Sequence, residues 1–256
     1  MIRTTGVLAR PGSYNVYNNI NNIIIRAKSS KSSTLWLDRQ KNDHYTKMAK
    51  KQYYRSRAAF KLKEIDDKFR LFNKNSKNIV DLGFAPGAWT QVAIERMNRV
   101  GIKSKILGVD LINCAPPSGS HFIQGDIYSR KTHNDIREFF VPKDEDNGDE
   151  EIDMPVDLII SDMMSNTSGI GHIDHLASMD LCDATMILSL GLLKTRGCMV
   201  MKYYRGLEGQ LITERLHTIF ERVYDFKPDS SRDQSKESYL IGLRKRRNLS
   251  VDDVFK

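Results

Sequence analysis

Residues 80–91 read VDLGFAPGAWTQ. An apolar run enters at Ile79, carries an acid at Asp81, and passes through Leu82 into a turn bounded by Gly83 and Gly87. A helical pattern follows at once in Trp89, Val92, Ala93 and Met97. Strand, glycine turn and helix in that order build a ligand crevice at the carboxyl end of a strand in an open α/β sheet. Glycine lets the backbone approach a ligand closely because no Cβ intervenes. The turn is neither G-x-G-x-x-G nor the G-x-x-x-x-G-K-[ST] phosphate loop. Instead one glycine is followed by Ala85-Pro86-Gly87, with an acid at the strand end and a tryptophan just inside the helix. That suits a cofactor with a positive charge and no pyrophosphate, and S-adenosyl-L-methionine is the expected one.

Working outward, apolar β-rich runs recur at 79–82, 106–109, 158–160, 199–201 and 238–243. Helical patterns lie between them, notably over 175–193 and 207–220. The alternation predicts an α/β domain with a mostly parallel sheet and helices on both faces. Upstream, residues 39–77 hold thirteen basic and four acidic residues, interleaved with Tyr45, Tyr53, Tyr54, Phe60, Phe69 and Phe72. Phe60, Leu62, Ile65, Phe69 and Phe72 recur near helical spacing, which predicts an amphipathic helix with its apolar face on the sheet. Its basic face fits phosphate, so nucleic acid is the expected partner.

The chain has 256 residues and a net charge of +8, enough for one well-cored domain. Residues 1–37 carry five basic side chains and no acid, leaving +3 for the rest. An acid-free, arginine-bearing, serine-containing start reads as a mitochondrial transit peptide, or else a disordered tail, over 1–33. The apolar run at 20–25 is too short, and too broken by asparagine, to span a membrane. Cys114, Cys182 and Cys198 show no C-x-x-C spacing, and no acid or cysteine cluster completes a metal site around His172 and His175. No metal is expected. Residues 143–153, KDEDNGDEEID, carry seven acids and one base and read as a solvated surface loop. The basic cluster 244–247 follows the last predicted strand and leads into a tail at 248–256.

Around the glycine turn stand SRAAFKLKEID (56–66), ILGVD (106–110), FIQGDI (122–127), VDLIISDM (156–163), CMVMKYYRG (198–206) and FKPDSSRDQSKESYLIGL (226–243). In order and spacing these motifs resemble the FtsJ/RrmJ family of ribosomal RNA 2′-O-methyltransferases, over roughly residues 34–247. LDRQKNDHYTKMAKKQ (37–52) and RKTHNDIREFF (130–140) add likeness to its fungal mitochondrial large-subunit branch. The resemblance implies a Rossmann-like methyltransferase sheet of seven strands, one antiparallel near the carboxyl end. It implies 2′-O-methylation of a ribose, a uridine, in mitochondrial large-subunit rRNA or its pre-ribosomal particle, in the matrix.

Methyl transfer to a ribose hydroxyl needs a group to take a poorly acidic proton, and tight positioning of both reactants. Lys202 and Asp162 each fall at the end of an apolar strand, where open α/β sheets place their sites. With Lys61 and Glu237 they match the family's Lys-Asp-Lys-Glu set. The resemblance makes Lys202 the residue nearest a general base, Asp162 and Lys61 its steering partners, and Glu237 the group orienting the network. For the cofactor, Asp110 ends the second strand and suits ribose hydroxyls. By resemblance Asp126 lies beside the adenine, Trp89 touches the cofactor, and Asp81, Gly83, Pro86, Gly87 and Asp162 complete the pocket.

Two departures stand out. The family's usual SDMAPN reads Ser161-Asp162-Met163-Met164-Ser165-Asn166, which removes a rigid proline, and Phe84 and Ala88 replace a common Ala and Gly. The absence of an N/D-P-P-Y-like motif argues against a base nitrogen as acceptor. A tRNA or cap 2′-O-methyltransferase keeps the same chemistry on another RNA. A ribosome-assembly factor with a vestigial pocket would show a broken tetrad or a lost glycine turn, and neither is present. A dinucleotide oxidoreductase would need a glycine triplet before the first helix.

Overall fold

The computed structural model describes residues 43–141, 154–165 and 168–255. The expected transit segment 1–33 and acidic loop 143–153 lie outside them.

The elements run α1 (His44–Lys51), α2 (Ala58–Phe69), β1 (Asn78–Leu82), α3 (Ala88–Val100), β2 (Lys105–Asp110), β3 (His121–Gln124) and α4 (Arg130–Phe140). Then come β4 (Val156–Ser161), α5 (Gly171–Leu192), β5 (Leu193–Tyr204), α6 (Gly209–Ile219), β6 (Phe220–Phe226), β7 (Glu237–Lys245) and α7 (Val251–Val254). The strand order is β3-β2-β1-β4-β5-β7-β6. Neighbours from β3 through β5 pair parallel, and β7 pairs antiparallel with both β5 and β6. The expected seven strands with one reversed near the carboxyl end are therefore present.

Strand periodicity divides the core in two. Ile79, Ile106, Leu158, Ile160, Val200 and Ile241 face the side packed by α2 and α3. Their chain neighbours Val80, Leu107, Ile159, Met199 and Leu240 face the side packed by α4, α5 and α6. Central strands buried on both faces read as unbroken apolar runs, which is why they stand out in the sequence. On α2 the fully buried Leu62 and Ile65 each contribute about 1.5–3 kcal/mol. That helix stops at Phe69, where Arg70 caps it in the left-handed region. Phe72, expected on the same helix, instead packs beyond its end, its N–H donating to Asp66 Oδ1 at 3.0 Å.

Two strands were not read from the sequence. β3 and β6 are the sheet's edges, with faces largely exposed, so FERVYDF carries charges where a central strand carries apolar residues. β5 is also longer than its apolar centre, beginning in Leu193-Lys194-Thr195-Arg196 with a register shift against β4. Residues 248–255, expected as a tail, hold α7, which is capped by Ser250 and Asp253 and buries Val254 against the core.

The glycine turn is seated by packing from below. The Phe84 ring covers Gly108 on β2, so a Cβ at Gly108 would lie 2.2 Å from Phe84 Cδ2. Gly108→Ala is expected to cost about 1–3 kcal/mol by overpacking, read as a lower urea midpoint at unchanged slope. Phe84→Leu in that background should recover part of the loss.

Candidate active site at the carboxyl edge of the sheet

The carboxyl ends of β1, β2 and β4 open into a cleft of about 360 Å³, within the range of small-molecule sites. Leu82, Gly83, Ala85, Asp110, Asp126, Asp162, Met163 and Lys202 are among its walls. The turn that floors it depends on positive φ at Gly83 (+72°) and Gly87 (+98°), a region L side chains rarely adopt. Gly83 also lies against Met163, where a Cβ would come within 2.7 Å of backbone.

Asp110 holds this turn. One carboxylate oxygen accepts from the Ala85 N–H at 2.8 Å and the other from the Ile112 N–H at 2.8 Å. The carboxylate faces the cleft with acceptor capacity remaining. Asp126, just past β3, accepts from the Tyr128 N–H at 2.9 Å and also lines the cleft. Arg55 clamps the turn from outside, donating to Pro86 O at 2.9 Å and Ala115 O at 2.6 Å.

Asp81, Pro86, Gly87 and Trp89 are not wall residues. Trp89 is 3% exposed. It donates from its indole N–H to Ala58 O at 2.9 Å and packs 5.6 Å from the Tyr239 ring, so it buttresses α2 against α3. Asp81 is 1% exposed. One of its oxygens accepts from Thr90 Oγ1 at 2.6 Å and the other has no partner. Burial pushes its carboxyl up to about 8, the Thr90 hydrogen bonds pulling the other way.

Beside the cleft, four elements bring Lys61, Asp162, Lys202 and Glu237 together. Lys202, on β5, places Nζ 3.0 Å from Asp162 Oδ1 and donates to the Asp162 carbonyl at 2.6 Å. Lys61, in the first turn of α2, donates to Glu237 at 2.8 Å. Glu237 opens β7, which runs backwards, so its start lies at the carboxyl edge of the parallel strands. Burial raises the Asp162 carboxyl, but Lys202, Lys61 and the hydrogen bonds from Lys202 and Tyr239 outweigh it and hold it below its ordinary value.

Tyr239 was not read from the sequence. Its hydroxyl donates to Asp162 Oδ1 at 2.9 Å, and its ring centre lies 5.9 Å from Lys61 Nζ. It thus joins the Lys202–Asp162 pair to the Lys61–Glu237 pair. The signal was its i, i+2 relation to Glu237, which puts both on one face of a strand. His175, considered only for metal, is buried on α5 with Nδ1 2.7 Å from Tyr204 O, supporting the chain just past Lys202. Among the described residues no group of three His, Cys, Asp or Glu side chains could hold a metal ion.

This sheet order, with a cleft and a Lys–Asp pair at the carboxyl edge, defines a Rossmann-like α/β methyltransferase architecture. The chain belongs to the FtsJ-like methyltransferase family, which it matches over residues 54–245. It is 39% identical to the mitochondrial rRNA methyltransferase 2 of Saccharomyces cerevisiae, over 94% of this chain and 98% of that one. It is 37% identical to the ribosomal RNA large subunit methyltransferase E of Rickettsia akari, over 88% and 96%. A crystal structure of a putative ribosomal RNA methyltransferase from Plasmodium falciparum superposes with a TM-score of 0.64 at 30% identity, over 75% of this chain and 98% of that one.

The buried acid Asp81 yields a pH test. Its folded pKa of about 8 lies above an unfolded value near 3.9. Its contribution to stability is therefore complete below about pH 4 and is lost as pH rises through about 8. Asp81→Asn should remove this loss. In urea unfolding of the ligand-free protein, the stability of Asp81→Asn relative to wild type should grow from pH 5 to pH 8.5.

Proposed function

We propose that this enzyme transfers a methyl group from S-adenosyl-L-methionine to a ribose 2′-hydroxyl of mitochondrial large-subunit rRNA, with a uridine as the acceptor. The observation that carries the reading is the single network of Lys61, Asp162, Lys202, Glu237 and Tyr239 beside a cofactor-sized cleft. The rRNA methyltransferases of yeast mitochondria and of Rickettsia supply the substrate class. The acid-free amino terminus and the yeast relative support a mitochondrial location, the matrix being the compartment that holds the ribosome.

The residues fit the cofactor. Asp110 and Asp126 offer acceptors to a nucleoside's hydroxyl and amino groups. The unpartnered, buried oxygen of Asp81 suits a nearby cation. Lys202 and Tyr239 both engage Asp162 Oδ1, leaving Oδ2 for a ligand. When bound, the cofactor supplies an electrophilic methyl carbon on a sulfonium.

The chain's own residues then position the hydroxyl and move its proton. Once the Lys202 ammonium has released a proton to solvent, the neutral amine takes the 2′-hydroxyl proton at Nζ as the oxygen becomes the nucleophile. The resulting ammonium is held between Asp162 Oδ1 and the Asp162 carbonyl, the 3.0 and 2.6 Å contacts present here. The Lys61 ammonium, fixed by Glu237, adds positive charge near the developing oxyanion. Ser231 donates to Glu237 Oε1 at 2.9 Å, an oxygen Lys61 also approaches at 2.7 Å, and keeps that carboxylate from turning away.

The expected basic face for RNA is smaller than composition suggests. Arg57 pairs with Asp43, and Arg55 clamps the glycine turn. Lys47, Lys50 and Lys51 on α1 are exposed, and these are the side chains we assign to phosphate.

In single-turnover transfer to an unmodified large-subunit rRNA transcript, Lys202→Ala should lose on the order of 10²- to 10⁴-fold in rate while keeping cofactor affinity. Lys202→Arg should not recover it, because a guanidinium stays protonated. A near-normal rate for Lys202→Ala would make Lys202 a strand-end charge and overturn the mechanism. Separately, neutralising Lys47, Lys50 and Lys51 should weaken RNA binding at every sequence, whereas neutralising Arg55 and Arg57 should chiefly lower the melting temperature.

A further inference from the structure

The opposite edge of the sheet carries a second feature that the reaction does not use. β7 runs from Glu237 at the catalytic edge to Lys245 at the far edge, a span of about 25 Å at roughly 3.3 Å per residue. There Lys194, Lys245, Arg246, Arg247 and Asn248 line a cleft of about 490 Å³. Among the described residues no carboxylate is in its walls.

Lys245 is the unusual member. It is 2% exposed, yet among the described residues no acid pairs with it. Its ammonium donates to Leu190 O at 3.0 Å and Leu193 O at 2.8 Å. Burial lowers its pKa to about 8, so it still carries its charge at neutral pH. Among the described residues this buried cation is compensated only by those two carbonyls and the Met154 sulfur at 3.5 Å; that is costly, and an anion entering the cleft would offset the cost. Arg246 and Arg247 are exposed beside it, and neither has an ion pair among the described residues.

The backbone gives an independent indication. Lys194 and Thr195 also line an adjoining cleft with Arg196 and Arg244. Arg196 and Arg244 sit at φ +66° and +61°, and Asn248 at +52°. Left-handed backbone is strained at a non-glycine residue and clusters at functional sites. Here it turns two arginines out of neighbouring strands onto one basic surface. Asp157 and Glu221 offset only part of that charge, at 2.9 Å from Lys194 and 3.7 Å from Arg244.

We propose that this far-edge cleft, floored by Lys245 and flanked by Arg246 and Arg247, is a second RNA phosphate site that grips large-subunit rRNA away from the reacting nucleotide. The choice of rRNA rests on the function proposed above; the anion chemistry does not. Two grips about 25 Å apart make the enzyme respond to folded rRNA more than to a short strand.

The test uses the full chain and an unmodified large-subunit rRNA transcript, comparing wild type with Arg246→Ala/Arg247→Ala. The double variant should bind the transcript about tenfold more weakly near physiological salt. Its slope of log affinity against log salt should fall by about 1.4–1.8, the range for two lost phosphate contacts. Its single-turnover rate at saturating RNA should stay within twofold of wild type, and a short oligonucleotide around the methylated nucleotide should bind both proteins equally. Lys245→Met, checked for folding by circular dichroism, should weaken the transcript in the same way. Unchanged affinity and slope in the double variant would overturn the proposal. So would stabilisation of wild type alone by inorganic phosphate with RNA binding unaffected, which would mean a free-anion site. The acidic run 144–153 is a competing anion on the same chain. If the variant's defect vanishes once those acids are made amides, the cleft serves that run and the proposal fails. Wild-type methylation of the transcript is scored separately, so failure of the catalytic reading is not mistaken for failure of this one.

Discussion

Asp162 carries more of this architecture than any other side chain. Its N–H donates to Leu82 O at 3.1 Å, tying the end of β4 to the end of β1. Its carbonyl and carboxylate both hold Lys202 from β5, and its carboxylate also accepts from Tyr239 of β7. One residue therefore fixes the relative positions of four strand ends. A nearly buried ion pair is weak evidence for stability, because desolvating two charges offsets most of their attraction. Removing one partner is another matter, since it strands a charge in a low-dielectric setting. Under the proposed mechanism the pair acts as preorganised electrostatics at the place where charge moves.

The cofactor side follows the same logic with different means. Asp110 spends one hydrogen bond on the glycine turn and one on the chain beyond β2, so the acid that faces the cleft also shapes it. Phe84 fills the space above Gly108 and meets the Phe122 ring at 5.1 Å. The turn is thus seated by an aromatic wedge. Asp81 is held one hydrogen bond short, a cost to the ligand-free fold at a position just behind the cofactor turn. Local departures from good packing chemistry thus gather at the site, as expected where function and stability compete.

The central strands were legible because burial on both faces demands unbroken apolar runs, as in Val80, Leu107, Ile159 and Val200. The edge strands β3 and β6 were not, because exposed faces tolerate charge and erase the alternation. Lys202 and Asp162 were legible as polar residues ending apolar strands. Lys61 and Glu237 were not legible from spacing, being 176 residues apart in the chain, and came only through the family motifs. Tyr239 was hidden as one aromatic among others, its role set by cross-strand register with Lys202. Trp89 read as a ligand contact through the family motif, because a tryptophan at a helix start faces either way; its hydrogen bond to Ala58 of α2 and its packing on Tyr239 of β7 put it in the core. The charge count of segment 39–77 does not reveal that Arg55 and Arg57 are engaged within the fold.

The position of the transferred methyl group separates ribose from base chemistry. Incubate the purified protein with methyl-labelled S-adenosyl-L-methionine and an unmodified large-subunit rRNA transcript. Digest the RNA to nucleosides and locate the label by mass spectrometry. The arrangement of Lys202, Asp162, Lys61 and Glu237 predicts label on a ribose 2′-oxygen, at one nucleotide, with that linkage resistant to alkali. Label on a base nitrogen or carbon, or no transfer by folded protein that binds both cofactor and RNA, would contradict it.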